Sequence, residues 1–425
     1  MKAFCGLYKN SVCSKIIKGF LFVLASVIVG MLLIILSYTI PVEKIKHNVE
    51  YGSGVMLDQG SSYIYAGEYT SAVLDNSTDA LILGEVAYRA DSVIESAVKV
   101  PSLIYPGDEG PVYSLFSYFH DDPDGYVMEY ARYWHGYVVL LKPFFYFFDF
   151  ADFRILNQGV QLFLIMAVVY LFIIKKQEKY LLGFMPMLVF WNPATIGISL
   201  QYAPCFYISM IGTIFAFFLK KDNLWKLFLF LGILTAYFDF LTYPLVTLAV
   251  PLATFLIVNE KSFKGMKEDI LTLVEGSAFW GGGYAGMWGM KWVVGSILIK
   301  QNLFADAIYE AKIRAGISMG TENNSRLDAV TSIIQKSLFH WPYIIMLVSV
   351  LVVIILIYRK SKPDFRQINS VIVFMVIAIM PLVWYFVMSD HSYVHPRLVY
   401  RSLGISIYAG FTAIIMFLSK GEKTK

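Results

Sequence analysis

A chain of 425 residues that is 57% hydrophobic and 16% charged, with mean hydropathy +0.60, departs from soluble domains, which run about 45–50% apolar and roughly 25% charged. Its formal net charge of +4 comes mainly from lysines beside apolar segments, so it points to anionic lipid heads and not to nucleic acid. Three cysteines, Cys5 and Cys13 near the start and Cys205 inside an apolar stretch, argue against a disulfide framework.

The chain holds about ten apolar stretches, judged against the roughly 20 residues that cross a hydrocarbon core. They run over 17–40, 156–174, 180–196, 200–219, 225–243, 244–258, 270–293, 341–358, 368–388 and 402–419. The third and sixth are short and read as broken or tilted spans. Lys2, Lys9, Lys15 and Lys18 precede the first, and Lys175, Lys176 and Lys179 follow the second. Lys220, Lys221 and Lys226 follow the fourth, and Lys261, Lys264 and Lys267 the sixth. Arg359, Lys360, Lys362 and Arg366 follow the eighth, and Lys420, Lys423 and Lys425 end the chain. An even number of spans places all of these on one side, which the positive-inside rule makes cytoplasmic. The first stretch has the basic flank of a signal peptide. Its apolar core is too long and no small-residue cleavage site follows, so an uncleaved anchor is expected.

The expected fold is all-α: one integral-membrane domain over 1–425 with about ten transmembrane helices. The first span (17–40) leads to a large extracytoplasmic loop (41–154), then spans two to seven (156–298), a second loop (299–340) and spans eight to ten (341–419). The first loop carries 17 of the 31 acidic residues and 7 of the 35 basic ones. Within it, 75–99 reads as a helix with Leu81, Ile82, Val86, Val93 and Ile94 near one stripe. The aromatic run 126–150 suits a helix lying in the interface, which Pro143 kinks or ends.

Asp75 and Asp79 are four apart, so that helix sets both carboxylates on one face. Such a pair can hold a divalent cation such as Mg or Mn, or supply a general base. The plainer reading is a helix start, with one acid as cap and the next on the N-terminal dipole. "DDPDG" (121–125) offers oxygen ligands but reads first as a tight turn. Arg132 and His135 in "RYWHGY" are i, i+3 neighbours that can meet a phosphate or a sugar, or anchor the interface. His391, His395, Arg397 and Arg401 crowd "SDHSYVHPRLVYR" (389–401) between the last two spans. The two arginines can fork onto phosphate oxygens, or serve structural ion pairs. The histidines have helical ligand spacing that Pro396 interrupts. Asp239 closes the fifth span and invites a cationic partner in Arg397, Arg401 or Lys291. Glu275 reads as interfacial. Gly282 and Gly286 have small-xxx-small spacing for close helix packing. No internal repeat and no soluble-enzyme signature is present.

This layout resembles the GT-C class of integral-membrane glycosyltransferases: a cytoplasmic N-terminus, one span, then a large acidic outward loop with interfacial helices, completed by polar residues of later outward loops. The resemblance implies sugar transfer, with inversion of the anomeric centre, from a polyprenyl-phosphate-linked donor to a glycan, glycolipid or polymer on the outer face. It implies an acidic base, Asp75, with Asp79 as helper or metal ligand. Arg397 and Arg401 would bind the carrier phosphate with His391 or His395, and Arg132, His135 and Asp239 would touch substrate. Two features depart from the class pattern: Asp75 lies well beyond the first span, and no soluble domain follows the last one. The expected setting is a bacterial plasma membrane. Competing readings are a polysaccharide polymerase or ligase, a transporter or flippase, and a non-catalytic assembly partner. The near absence of charge at mid-span positions counts against ion-coupled transport.

Overall fold

The structure, a computed structural model, describes residues 12–67, 69–105, 110–120, 125–259, 265–317, 325–361 and 363–419. Cys5, the lysines before residue 12, residues 121–124, Lys261, Lys264, Lys362 and the last three lysines lie outside these.

Helix α1 (Val12–Ser37) buries Val23, Val27 and Ile34 and leaves Phe20, Leu21, Ile28 and Val29 exposed. Helix α2 (Val42–Gln59) follows Pro41 and stops at Gly60, φ +75°. Its charges hide the apolar stripe, yet Ile45, Val49, Gly52 and Met56 are buried at helical spacing. Strand β1 (Ser62–Ile64) pairs antiparallel with β2 (Val73–Asp75), setting Ser62 opposite Asp75.

The single helix expected over 75–99 is two. Helix α3 (Asn76–Ala87) ends before Tyr88. Ser92 then caps α4 (Val93–Lys99), accepting the Glu95 N–H at 3.2 Å. A good cap inside an apolar pattern starts a new helix, and that overrides the stripe. Strand β3 (Ser102–Ile104) precedes α5 (Gly110–Phe119) and pairs with β4 (Tyr126–Met128). The interfacial helix expected over 126–150 is thus a strand, a turn segment and the short α6 (Val138–Phe147). Pro143 sits inside α6 without ending it. Asp149 and Asp152 form a capping box that starts α7 (Phe150–Ile174).

The remaining chain forms α8 (Leu181–Trp191), α9 (Pro193–Gly197), α10 (Ala203–Ala216), α11 (Leu224–Phe238), α12 (Val246–Val258) and α13 (Met266–Ile299). The second loop (299–340) supplies α14 (Phe304–Arg314) and α15 (Arg326–Leu338), followed by α16 (Trp341–Tyr358) and α17 (Ile368–Val387). Short helices α18 (Ser389–Val394) and α19 (Pro396–Val399) lead into α20 (Leu403–Leu418).

All ten apolar stretches are helical, and the architecture is that of an all-α membrane protein. Among the described residues, five helical segments are long and apolar enough to cross a bilayer: α1, α7, α16, α17 and the run Pro396–Leu418. Helices α8, α10, α11 and α12 have 11, 14, 15 and 13 residues, short of the roughly 20 that a perpendicular crossing takes.

The basic segments meet at one end of the bundle. Lys15 pairs with Glu275 at 2.6 Å, and Lys221 pairs with Glu268. Lys175 lies 4.6 Å over the Phe218 ring, Lys179 donates to Ser419 at 3.5 Å, and the Asp364 N–H reaches Phe417 O at 2.9 Å. Helix α13 lies along α11, where a Cβ on Gly232 would come 2.1 Å from Trp280 O and one on Gly283 2.3 Å from Leu229 O. The close approach therefore uses Gly283. Gly282 has open space around it, and Gly286 faces Val23 across from α1.

Candidate active site

At the opposite end from the basic segments, residues of the segments 41–154, 299–340 and 389–401 line a cavity of about 550 Å³. Its polar lining comes from three regions far apart in sequence: Asp75 with Ser77 and Thr78, Arg314 at the end of α14, and His391, His395 and Arg397 around α18 and α19. Tyr130 and Phe240 supply aromatic wall, and Leu81, Val394 and Leu398 aliphatic wall.

Asp75 ends β2 and caps α3. Its carboxylate accepts the Thr78 N–H at 3.2 Å and the Thr78 hydroxyl at 3.0 Å. Across the strand pair, Ser62 accepts a hydrogen bond from Arg397 Nη1. The short sheet thus brings the carboxylate of the first loop and the guanidinium of the third to neighbouring positions on one wall.

Arg314 was not singled out in the sequence, where it looks like a solvated charge in the last turn of an amphipathic helix. Its Nη1 lies 2.9 Å from His391 Nδ1. The other ring nitrogen of His391 lies 2.8 Å from Leu241 O. A carbonyl only accepts, so Nε2 carries the proton and Nδ1 is left to accept from Arg314. Burial, His395 and Arg314 all hold the His391 imidazole well below its usual range, so it stays neutral. Burial and then Arg314 lower His395 as well. The accepting carbonyl belongs to a residue in left-handed backbone, Leu241 at φ 61°. Such a conformation in a non-glycine residue persists only where its surroundings impose it. Gly316 ends α14 at φ +64°, and a Cβ there would come 2.5 Å from Ser389 Oγ. Helix α14 can lie against α18, and Arg314 against His391, because this position has no side chain.

Asp79 does not share the Asp75 face. It is 1% exposed and absent from the cavity lining. Its Oδ1 accepts from Gln201 N at 3.0 Å and Ser199 Oγ at 3.2 Å, and its Oδ2 from Leu200 N at 3.0 Å. Gln201 Nε2 in turn reaches Asp75 O at 3.4 Å. Asp79 therefore braces the turn that carries Asp75. Burial pushes its carboxyl up to about 7, opposed by the Gln201 and Leu200 N–H groups. The expected carboxylate pair is split because Asp75 is the cap itself, outside the helix proper. Among the described residues no three His, Cys, Asp or Glu side chains are grouped as metal ligands. Asp75 and Asp79 therefore do not present their carboxylates side by side to a divalent cation such as Mg or Mn.

Arg401 also departs from expectation. It is fully buried, its guanidinium 3.7 Å from the Tyr202 ring centroid and 4.8 Å from that of Tyr400. Nε donates to Trp191 O at 3.3 Å and Nη1 to Arg397 O at 2.9 Å. It holds the backbone of Arg397 and does not line the cavity, so the two arginines form no fork. Pro396 starts a new helix after His395, yet the His395 N–H still donates to His391 O at 3.0 Å and the two imidazole rings lie 5.0 Å apart.

Arg132 and His135 are not helical neighbours either. Arg132 pairs with Asp306 at 3.0 Å and with Glu310 at 3.5 Å. His135 is buried at φ 54°, with Nδ1 2.6 Å from Tyr137 Oη and Nε2 2.8 Å from Tyr130 O. Tyr137 donates to the buried Glu85. Asp239 is 7% exposed and is held by the Thr242 N–H at 3.2 and 3.1 Å and by the Thr242 hydroxyl. None of the expected cations holds it. Lys291 instead donates to Val98 O at 2.8 Å and sits over the Trp134 ring.

No family model matches the chain, and neither a curated protein nor a solved structure matches it.

Proposed function

We propose that the protein is a membrane glycosyltransferase that moves a sugar from a polyprenyl-phosphate-linked donor to a hydroxyl of a surface glycan, glycolipid or polymer. In this reading Asp75 is the base. An acceptor hydroxyl is a poor nucleophile, and a carboxylate within hydrogen-bond reach removes its proton as it attacks the anomeric carbon. The bond from that carbon to the carrier phosphate breaks, the anomeric centre inverts, and the phosphate leaves with the bonding pair. Arg397 and Arg314 stabilise the charge it gains, since fixed cations in a poorly hydrated cleft act strongly on developing charge. Neutral His391 orients Arg314. Asp79 and Arg401 brace Asp75 and Arg397 from behind.

One observation carries this reading: a single cavity collects one first-loop carboxylate and basic residues of two later outward loops. Its aromatic and aliphatic walls suit a sugar ring and the start of a polyprenyl chain. The gathering of lysine-rich segments at the other end supports both termini in the cytoplasm, and the membrane we propose is a bacterial plasma membrane. In this arrangement all ten helical stretches cross the membrane, the short ones with help from their buried neighbours. The link from such a site to this reaction is by analogy of layout.

The test is release of polyprenyl phosphate from a panel of polyprenyl-phosphate sugars by the purified protein. Acceptor-dependent release that disappears in Asp75→Asn is the expected result. Release that survives Asp75→Asn would remove Asp75 as the base, and no release across a broad donor panel would sink the transferase reading.

A further inference from the structure

A second cavity of about 550 Å³ lies at the lysine-rich end, far from the candidate active site. It is a groove between α1, the end of α10 and the start of α11. Phe22, Phe215 and Phe230 line it and are 44%, 57% and 42% exposed. Phe22 and Phe230 meet edge to face at 6.2 Å, and Trp225 closes the floor against Phe279 at 5.4 Å. The lining is aromatic and aliphatic except for Asn223 and two exposed lysines, Lys18 and Lys226. Lys226 Nζ lies 5.8 Å from the Trp225 ring.

Three features of this groove select its occupant. Its apolar faces are exposed among residues that lie in or beside apolar helices, so acyl chains cover them without cost. Its two ammonium groups come from different helices and both border one groove. That differs from Lys15 and Lys221, which have carboxylate partners in Glu275 and Glu268. The groove also lies where the basic segments gather, the level at which lysines meet lipid headgroups. A zwitterionic headgroup would bring its own cation against both lysines. An anionic one complements them.

We infer that this groove is a binding site for one anionic phospholipid, its acyl chains against Phe22, Phe215 and Phe230 and its phosphate between Lys18 and Lys226. This inference is independent of the proposed transferase activity.

Native mass spectrometry of the purified protein, titrated with phosphatidylglycerol and with phosphatidylcholine, tests it. The wild type is expected to retain one phosphatidylglycerol, bound roughly tenfold more tightly than phosphatidylcholine, as two lysines near an anionic headgroup imply. The K18Q/K226Q double variant should bind both lipids alike. A control pair at the same end but outside the groove, K175Q/K179Q, should keep the preference. Thermal unfolding in neutral detergent checks that both variants are folded. Equal binding of the two lipids to the wild type would overturn the inference. So would equal loss in both variants, which indicates general surface attraction, or no loss in either.

Discussion

Behind Tyr130, the buried Tyr137, His135 and one oxygen of Glu85 direct their polar atoms at one another and at the Tyr130 carbonyl, and the other Glu85 oxygen is sealed from solvent. In front of it, Asp75, Arg314 and Arg397 are each gripped by a neighbour, and all three border open volume. Both clusters are built from residues between the long apolar helices, with the same kinds of side chain. The difference is which groups remain available to a ligand, and spacing along the chain does not report that. A self-contained cluster sets structure. A cluster braced from outside its cavity keeps its charges free for chemistry.

The strongest way to break this contrast is Asp75→Asn. Asparagine caps a helix about as well as aspartate, so folding should be retained while transfer falls roughly 10²- to 10⁴-fold with the loss of a general base. Polyprenyl-phosphate release and a melting curve on the same sample separate the two effects. Asp79→Ala should do the reverse. It leaves the donors of Leu200, Gln201 and Ser199 buried without their acceptor, a cost of about 3 kcal/mol on the scale of unsatisfied groups beside a lost charge. A lower denaturation midpoint in detergent is the expected reading, and an unchanged midpoint would end the bracing role.

His391→Phe should raise the donor KM more than it lowers kcat, by about tenfold for one misplaced cation. His391→Gln, which keeps an acceptor and a donor, should recover part of the loss. An equal fall in activity with both substitutions would leave His391 a packing residue. Gly316→Ala should cost about 1–2 kcal/mol, because a side chain is forced into left-handed backbone and against Ser389.

The smallest effect is in pH. Burial raises the Asp79 carboxyl in the folded state to about 7, from the roughly 3.9 of a free aspartate. The folded protein therefore binds the extra proton, and stability falls as pH rises between these values. Melting temperatures from pH 5 to 8 should show a downward slope that Asp79→Asn reduces. A slope that stays the same would assign it to other groups.

The membrane class was legible because hydropathy needs no tertiary knowledge, and all ten apolar stretches are helices. Crossing depth was less legible: α8, α10, α11 and α12 are shorter than their apolar runs because Pro193, Pro204 and the turns at 217–223 and 239–245 interrupt them. In the first loop, Ser92 and Asp149 set helix starts that the apolar pattern alone did not show. Asp75, His391, His395 and Arg397 were readable as polar residues at outward ends, and the structure brings them to one cavity. Arg314 was missed because its role depends on His391, a contact 77 residues away in the chain. Asp79 and Arg401 looked like functional charges because burial leaves no mark on spacing.

The pairing of Ser62 with Arg397 joins residues 335 apart. At ribosomal speeds of about 5–20 residues per second, the first wall of the cavity waits roughly 20–60 seconds for the last. Until α18 and α19 are in place, the cavity that holds Asp75 lacks Arg397, His391 and His395, and Arg314 lacks its His391 partner. On the proposed reading, a nascent chain cannot complete the charge set of its site before Arg397 is in place, and a truncation ahead of α18 would give an embedded product without transfer.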